Sequence, residues 1–273
     1  MSVARHSFSV LFLVCLCALV AHAQDAPSCS DEPDFIVPSR PTVSNPAEFQ
    51  RPGVLQLEFG FNANFRGPSN ASQEDFPLAL RFAASRRVLF ELDLDNPLSQ
   101  KAMGLRQTGK GDSQLGIQIV LQHEKETRPG IAFAYFIKLP SANSVKGLGT
   151  GRVDHSFIAL VSKKIAGTTV DFNLTWLLAG RTTDGGHASS GQSALAVSRN
   201  ISRRFGLQGE ISGFTRNDAQ SGAMFAFGAV TFQVNRRLVL DSGVRFGLSH
   251  DAPRAGFFAG MTVGLADLYR RHR

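Results

Sequence analysis

The chain has 273 residues, a formal charge of +7 and 43% hydrophobic residues, a length that suits one large domain or two small ones. The basic excess is too mild to define a partner by itself, and beyond the first residues no apolar run approaches the roughly 20 residues of a transmembrane helix. A membrane location would therefore require a closed β-barrel, because only helices and barrels satisfy every backbone group in lipid.

The first residues follow the plan of a secretory signal. Arg5 and His6 supply a positive start, Phe8 to Val20 is apolar apart from Ser9, and Ala21-His22-Ala23 offers small residues where a signal peptidase reads. Residues 1–23 are expected to be a signal peptide cut before Gln24; the run is too short for a membrane anchor. Cleavage removes Cys15 and Cys17, so Cys29 alone remains and no internal disulfide can form. It also leaves 28 basic against 22 acidic residues, a net +6. Residues 24–52 hold Pro27, Pro33, Pro38, Pro41, Pro46 and Pro52 with little apolar periodicity, the texture of a Pro-rich periplasmic leader.

At Gly53 the texture changes. Leu55, Leu57, Phe59, Phe61, Ala63 and Phe65 alternate with Gln56, Glu58, Gly60, Asn62 and Asn64, an apolar face backed by a polar one. The same period of two returns over 76–83, 88–95, 114–122, 131–139, 170–178, 238–246 and 257–265, and more weakly near 153–163, 192–200, 207–215 and 223–234. The expected fold is all-β: an antiparallel transmembrane barrel of about twelve strands over 53–269, each near the nine to eleven residues that a tilted strand needs to cross a bilayer.

Long polar joins near 66–73, 96–111, 140–152, 181–191, 216–222 and 249–256 take turns with shorter ones near 85–87, 123–130, 163–168, 200–206 and 235–237. Outer-membrane barrels show this asymmetry, with long loops outside and short turns in the periplasm, and an even strand number puts both termini in the periplasm. Four short turns carry a basic pair: Ser85-Arg86-Arg87, Ser162-Lys163-Lys164, Ser202-Arg203-Arg204 and Asn235-Arg236-Arg237. These read as charged turns that stay in water. Nucleic acid is not an expected partner, since it would want basic residues gathered on one surface with stacking aromatics.

If the apolar faces meet lipid, the polar faces line a lumen. Its expected lining includes Glu58, Asn62, Arg81, Glu91, Asp93, Lys138, Asp171, Glu210, Asp241 and Arg245, with Gln56, Asn64, Gln114, Gln118 and Asn173 beside them. Six of these are acids and three are bases, which fits either a pore with polar or weakly cation-favouring walls or an interior filled by its own side chains.

Several segments resemble a known family. Ser39-Arg40-Pro41, Pro52 to Gly60, Leu80-Arg81-Phe82 with the Arg86 to Leu92 hairpin, Gly111-Asp112, Leu139-Pro140 and Leu240 to Leu248 before Ala252-Pro253 are similar, in order, to outer-membrane proteins grouped under the "MetA-pathway of phenol degradation". The resemblance implies a barrel of about twelve strands in the outer membrane, folded there by the barrel-assembly machinery, passing small aromatic or hydrophobic compounds inward. Such barrels commonly end on an aromatic residue; here Tyr269 would play that part, displaced by the basic tail 270–273.

Catalysis has little support. His187-Ala188-Ser189 resembles the His-x-Ser element of outer-membrane lipid hydrolases, and counting back along the strand puts the pair on the lipid face. The segment reads instead as a loop tip, and no residue is evident to orient the imidazole. The seven histidines show no ligand spacing and no phosphate-cradling loop opens a helix, so no metal, cofactor or enzymatic activity is expected. A remaining alternative is a secreted soluble β-barrel or sandwich that turns the apolar faces inward around an apolar ligand.

Overall fold

The computed structural model of the protein describes residues 34–67, 70–102, 104–216 and 221–269. The expected signal peptide, Cys29 and the basic tail lie outside them. Thirteen strands follow: β1 (Val54–Phe65), β2 (Ser72–Ala83), β3 (Val88–Ala102), β4 (Leu105–Gly109), β5 (Ser113–Gln122), β6 (Gly130–Leu139), β7 (Asp154–Ile165), β8 (Thr168–Gly180), β9 (His187–Asn200), β10 (Phe205–Phe214), β11 (Ala223–Asn235), β12 (Leu238–Gly247) and β13 (Ala255–Asp267).

Apart from β4, each strand pairs antiparallel with its neighbours in the chain, and β1 pairs with β13 from Val54↔Asp267 to Phe65↔Ala255. This closes a wall of 12 strands, which removes the free edges of the sheet. The remaining strand, β4, folds back on the far part of β3, Leu98↔Gly109 to Ala102↔Leu105. The long join expected near 96–111 is thus largely a hairpin rising from the wall.

The period of two decides which side faces out. On β8, Asp171 and Asn173 are buried inside while Phe172, Leu174 and Trp176 are exposed outside. Exposed Phe59, Phe90, Leu115, Phe133, Leu195, Ile211, Leu240 and Phe257 continue the apolar face around the ring. Such a continuous apolar exterior belongs in lipid, since each fully exposed large side chain forgoes about 1.5–3 kcal/mol of burial in water. The soluble alternative needs the opposite arrangement and is overturned.

Most joins alternate as the sequence suggests, the exception being 123–129 between β5 and β6, which is longer than the joins 66–71 and 181–186, and their local chemistry is visible. Ser85 Oγ accepts from the N–H of Arg87 and of Val88, each at 3.1 Å, and Ser202 Oγ accepts from the N–H of Arg204 and of Phe205. A hydroxyl that ties its own turn explains a serine before the basic pair. Ser162 differs: it points into the barrel from β7, and the turn falls later, at Ala166-Gly167 with positive φ at both residues, the geometry of a tight hairpin turn. On β2 the register shifts between Asp75 and Pro77, because a proline has no N–H for the ladder.

The largest departure from expectation is the stretch 34–52. Its sequence reads as part of a Pro-rich periplasmic leader; in the structure it lies against the inner wall, with Ile36, Ser44, Ala47, Phe49 and Gln50 buried. Arg51 N–H donates to Asp34 O at 3.0 Å, so the stretch is a loop whose two ends meet at the short-turn end of the barrel. At that end Tyr269 covers Gly53, whose φ of +85° and contact with the ring both require glycine, and the tyrosine hydroxyl donates to Ala84 O.

Candidate functional site: the plugged lumen

Backbone without a ladder partner must find its hydrogen bonds elsewhere, and the plug loop finds them in the polar side chains of the wall. At the β1–β13 seam the grip is ionic. Glu58 accepts from Ser39 N–H at 2.9 Å, Ser39 Oγ at 2.8 Å and Arg40 N–H at 3.0 Å. Arg81, fully buried, donates to Glu58 at 3.2 Å, Glu91 at 3.1 Å and Val37 O at 3.0 Å. Gln56 holds Val37 through both its amide oxygen and its amide nitrogen.

Arg40 reaches Asp241 at 3.4 Å. Its guanidinium lies over Gly60 and Gly260, which face each other across the seam, and a Cβ on either glycine would collide with it. The two glycines are therefore the floor of an arginine slot.

On the opposite wall the grip is mostly neutral. Asn173 accepts from Asn45 N–H and donates to Asn45 O at 2.9 Å, Ser162 Oγ accepts from Ala47 N–H at 2.8 Å, and Gln118 donates to Pro46 O and Ala47 O at 3.1 Å. Glu210 accepts from Ser44 N–H at 2.8 Å. Ala47 packs with Ala132, Ala134, Phe136 and Leu160, and Phe49 with Ala83, Leu89 and Val120. Beyond the crest of the plug, towards the long loops, a cavity of about 220 Å³ opens between Val43 and Asn45 of the plug and the walls of β3 and β5 to β9.

The expected lining residues fall as follows. Glu58, Arg81, Glu91, Asp171, Glu210 and Asp241 are buried on the inner side; Asp171 accepts from Ser162 Oγ, and Asp93 borders the cavity. Asn62 donates to Asp75 at 2.7 Å, and Lys138 bridges Asp112 at 3.1 Å and Asp154 at 2.7 Å. Arg245 stands 5.8 Å from the Phe225 ring.

Sequence reasoning missed Ser39, Arg40, Ser44, Asn45 and Gln50, the plug's own polar contacts. One signal pointed to them: six inward acids against three bases left negative charge unmatched, and Arg40 meets part of it.

The His187-Ala188-Ser189 element is also placed differently from expectation. It opens β9 rather than capping a loop, so strand phase holds and both side chains point outward. The tip lies just before it, where Asp184 accepts from Gly186 N–H and Arg181; those bonds hold the Asp184 carboxyl below the usual range. Ser189 Oγ accepts from Trp176 Nε1 at 2.8 Å, and the His187 ring lies 5.6 Å from that of His155, whose Nδ1 bonds Tyr135 OH. No hydrogen bond joins His187 to Ser189 among the described residues, and the patch is an aromatic belt at the long-loop rim.

A closed antiparallel barrel with an apolar exterior and a polar, plug-filled interior defines the class of transmembrane β-barrels. The chain belongs to the family described as "Putative MetA-pathway of phenol degradation", which matches residues 39–265 and so begins inside the plug. Its fold is similar to that of an outer membrane channel from Pseudomonas putida F1, with a TM-score of 0.61 at 12% identity over 84% of this chain and 99% of that one. It is also similar to the NanC porin, with a TM-score of 0.54 at 7% identity over 78% of this chain and 100% of the porin. No curated protein matches the chain.

Proposed function

We propose that this protein is an outer-membrane channel for small aromatic or hydrophobic compounds, and not an enzyme. The observation that carries the reading is the pairing of a sealed, lipid-compatible wall with a polar interior that is filled only on its short-turn side, leaving a cavity towards the long loops. Fold likeness to an outer membrane channel supports conduction, and the family description supports aromatic cargo. In this reading residues 1–23 direct export, the barrel-assembly machinery inserts the chain, both ends of the barrel chain face the periplasm, and the plug guards the periplasmic exit. The inward acids and bases named above form the path walls.

Reconstitution tests it. The purified protein in planar bilayers should conduct ions, and vesicles containing it should take up phenol or toluene faster than bare vesicles. Conductance and uptake both at the level of protein-free membranes would overturn the proposal.

A further inference from the structure

The cavity above the plug has a size and a charge that the channel reading does not use. At about 220 Å³ it is larger than the roughly 150 Å³ that holds a benzene and smaller than the 300 Å³ at which sites for drug-sized ligands begin. One substituted ring fits within it.

Its lining is divided. Phe136, Ile158 and Ala194 from the wall and Val43 from the plug offer an apolar side, while Glu91 and Asp93 from β3 offer carboxylates. Gln114, Ser156, Thr175 and Gln192 complete the polar side, and among the described residues none of these four makes a side-chain hydrogen bond to protein. Their hydrogen-bonding groups are left for whatever occupies the space.

The charge is unbalanced. Among the described residues no basic side chain lines the cavity. Arg81 is enclosed by Glu58 and Glu91, and Lys138, which pairs across β5 and β6 with the lining residue Gln114, is already bridged to Asp112 and Asp154. Asp93 hydrogen-bonds Glu91, which needs one proton between the two carboxyl groups, and a protonated amine can take that proton's place and bring its own charge to both.

We infer that this cavity is a binding site for a monocyclic compound bearing a protonated amine, with the ammonium on Glu91 and Asp93 and the ring on Phe136 and Val43. The inference rests on the channel reading for access to the cavity and names a solute class within it. A carboxylate on the same ring is repelled, and an uncharged alcohol gains hydrogen bonds without the ionic part.

Calorimetry on the detergent-solubilised full chain with benzylamine, benzyl alcohol and benzoate separates these cases, since the three differ little except in the polar group. Benzylamine should bind at least roughly tenfold tighter than benzyl alcohol, and benzoate should not bind. Asp93→Asn should cut benzylamine affinity roughly tenfold and leave benzyl alcohol unchanged. Ala194→Phe, which fills the apolar side and leaves both carboxylates in place, should weaken benzylamine and benzyl alcohol together. Equal affinities for the three probes, tighter binding of benzoate, or no saturable binding overturns the inference. Conductance measured on the same preparation keeps the two readings apart: an ion-conducting protein without amine preference sinks this inference alone.

Discussion

The two sides of the lumen hold the same plug by different chemistry. At the β1–β13 seam the loop meets Glu58 and Arg81, buried charges with several bonds each, and Asp241, which pairs with Arg40. On the β5 to β8 side it meets Gln118, Ser162 and Asn173, mostly through neutral bonds, and a cavity opens above them. Buried ionic networks lose most when one partner is removed, whereas neutral bonds lose less. The seam is thus the anchor of the plug, and the opposite side is where space for a solute remains. Five buried polar atoms at the contact, Arg40 Nε, Ser44 Oγ, Gln50 Oε1, Arg81 Nη2 and Glu210 Oε1, have no protein partner among the described residues, so the plug is less completely paired to the wall than the strands are to one another.

Three substitutions test this comparison, starting with the largest effect. Glu58→Leu removes the acceptor of Ser39 N–H, Ser39 Oγ, Arg40 N–H, Gln56 and Arg81. It should cost about 3–5 kcal/mol, seen as a lower temperature for the folded-to-unfolded band shift on gels. A variant as heat-resistant as the parent would show that the seam is not the anchor. Gly60→Leu fills the slot under Arg40 and should cost about 1–3 kcal/mol through overpacking. Because it lifts the plug from the seam, single-channel conductance should rise several-fold; an unchanged value would mean that the plug does not limit flow. Asn173→Leu strips the neutral side of its two bonds to Asn45 and should cost about 1–3 kcal/mol with a smaller rise in conductance than Gly60→Leu. A larger rise would reverse the ranking of the two sides.

The wall was legible because a strand writes its environment into the chain every second residue. Leu55 to Phe65 and Val170 to Leu178 declare an apolar and a polar face without any knowledge of neighbours. The plug was not legible for the converse reason. Ser39, Arg40, Ser44 and Asn45 follow no period, since each is satisfied by a different strand, and their partners lie up to 219 residues away, as Arg40 and Ala259 do. His187 and Ser189 were misread for a local reason: Asp184-Gly185-Gly186 is a true turn, and where a turn stops and a strand starts depends on pairing with Gly180 and Leu178 of β8.

The sequence by itself determined that the chain makes alternating strands with acids and bases on one face and Phe, Leu and Val on the other, because side-chain direction in a strand is a local property. Only the tertiary structure decided that β1 closes on β13, that Gly60 and Gly260 meet beneath Arg40, and that a proline-rich stretch enters the lumen. Those outcomes depend on what curvature and closure bring together across the barrel, which no local pattern records.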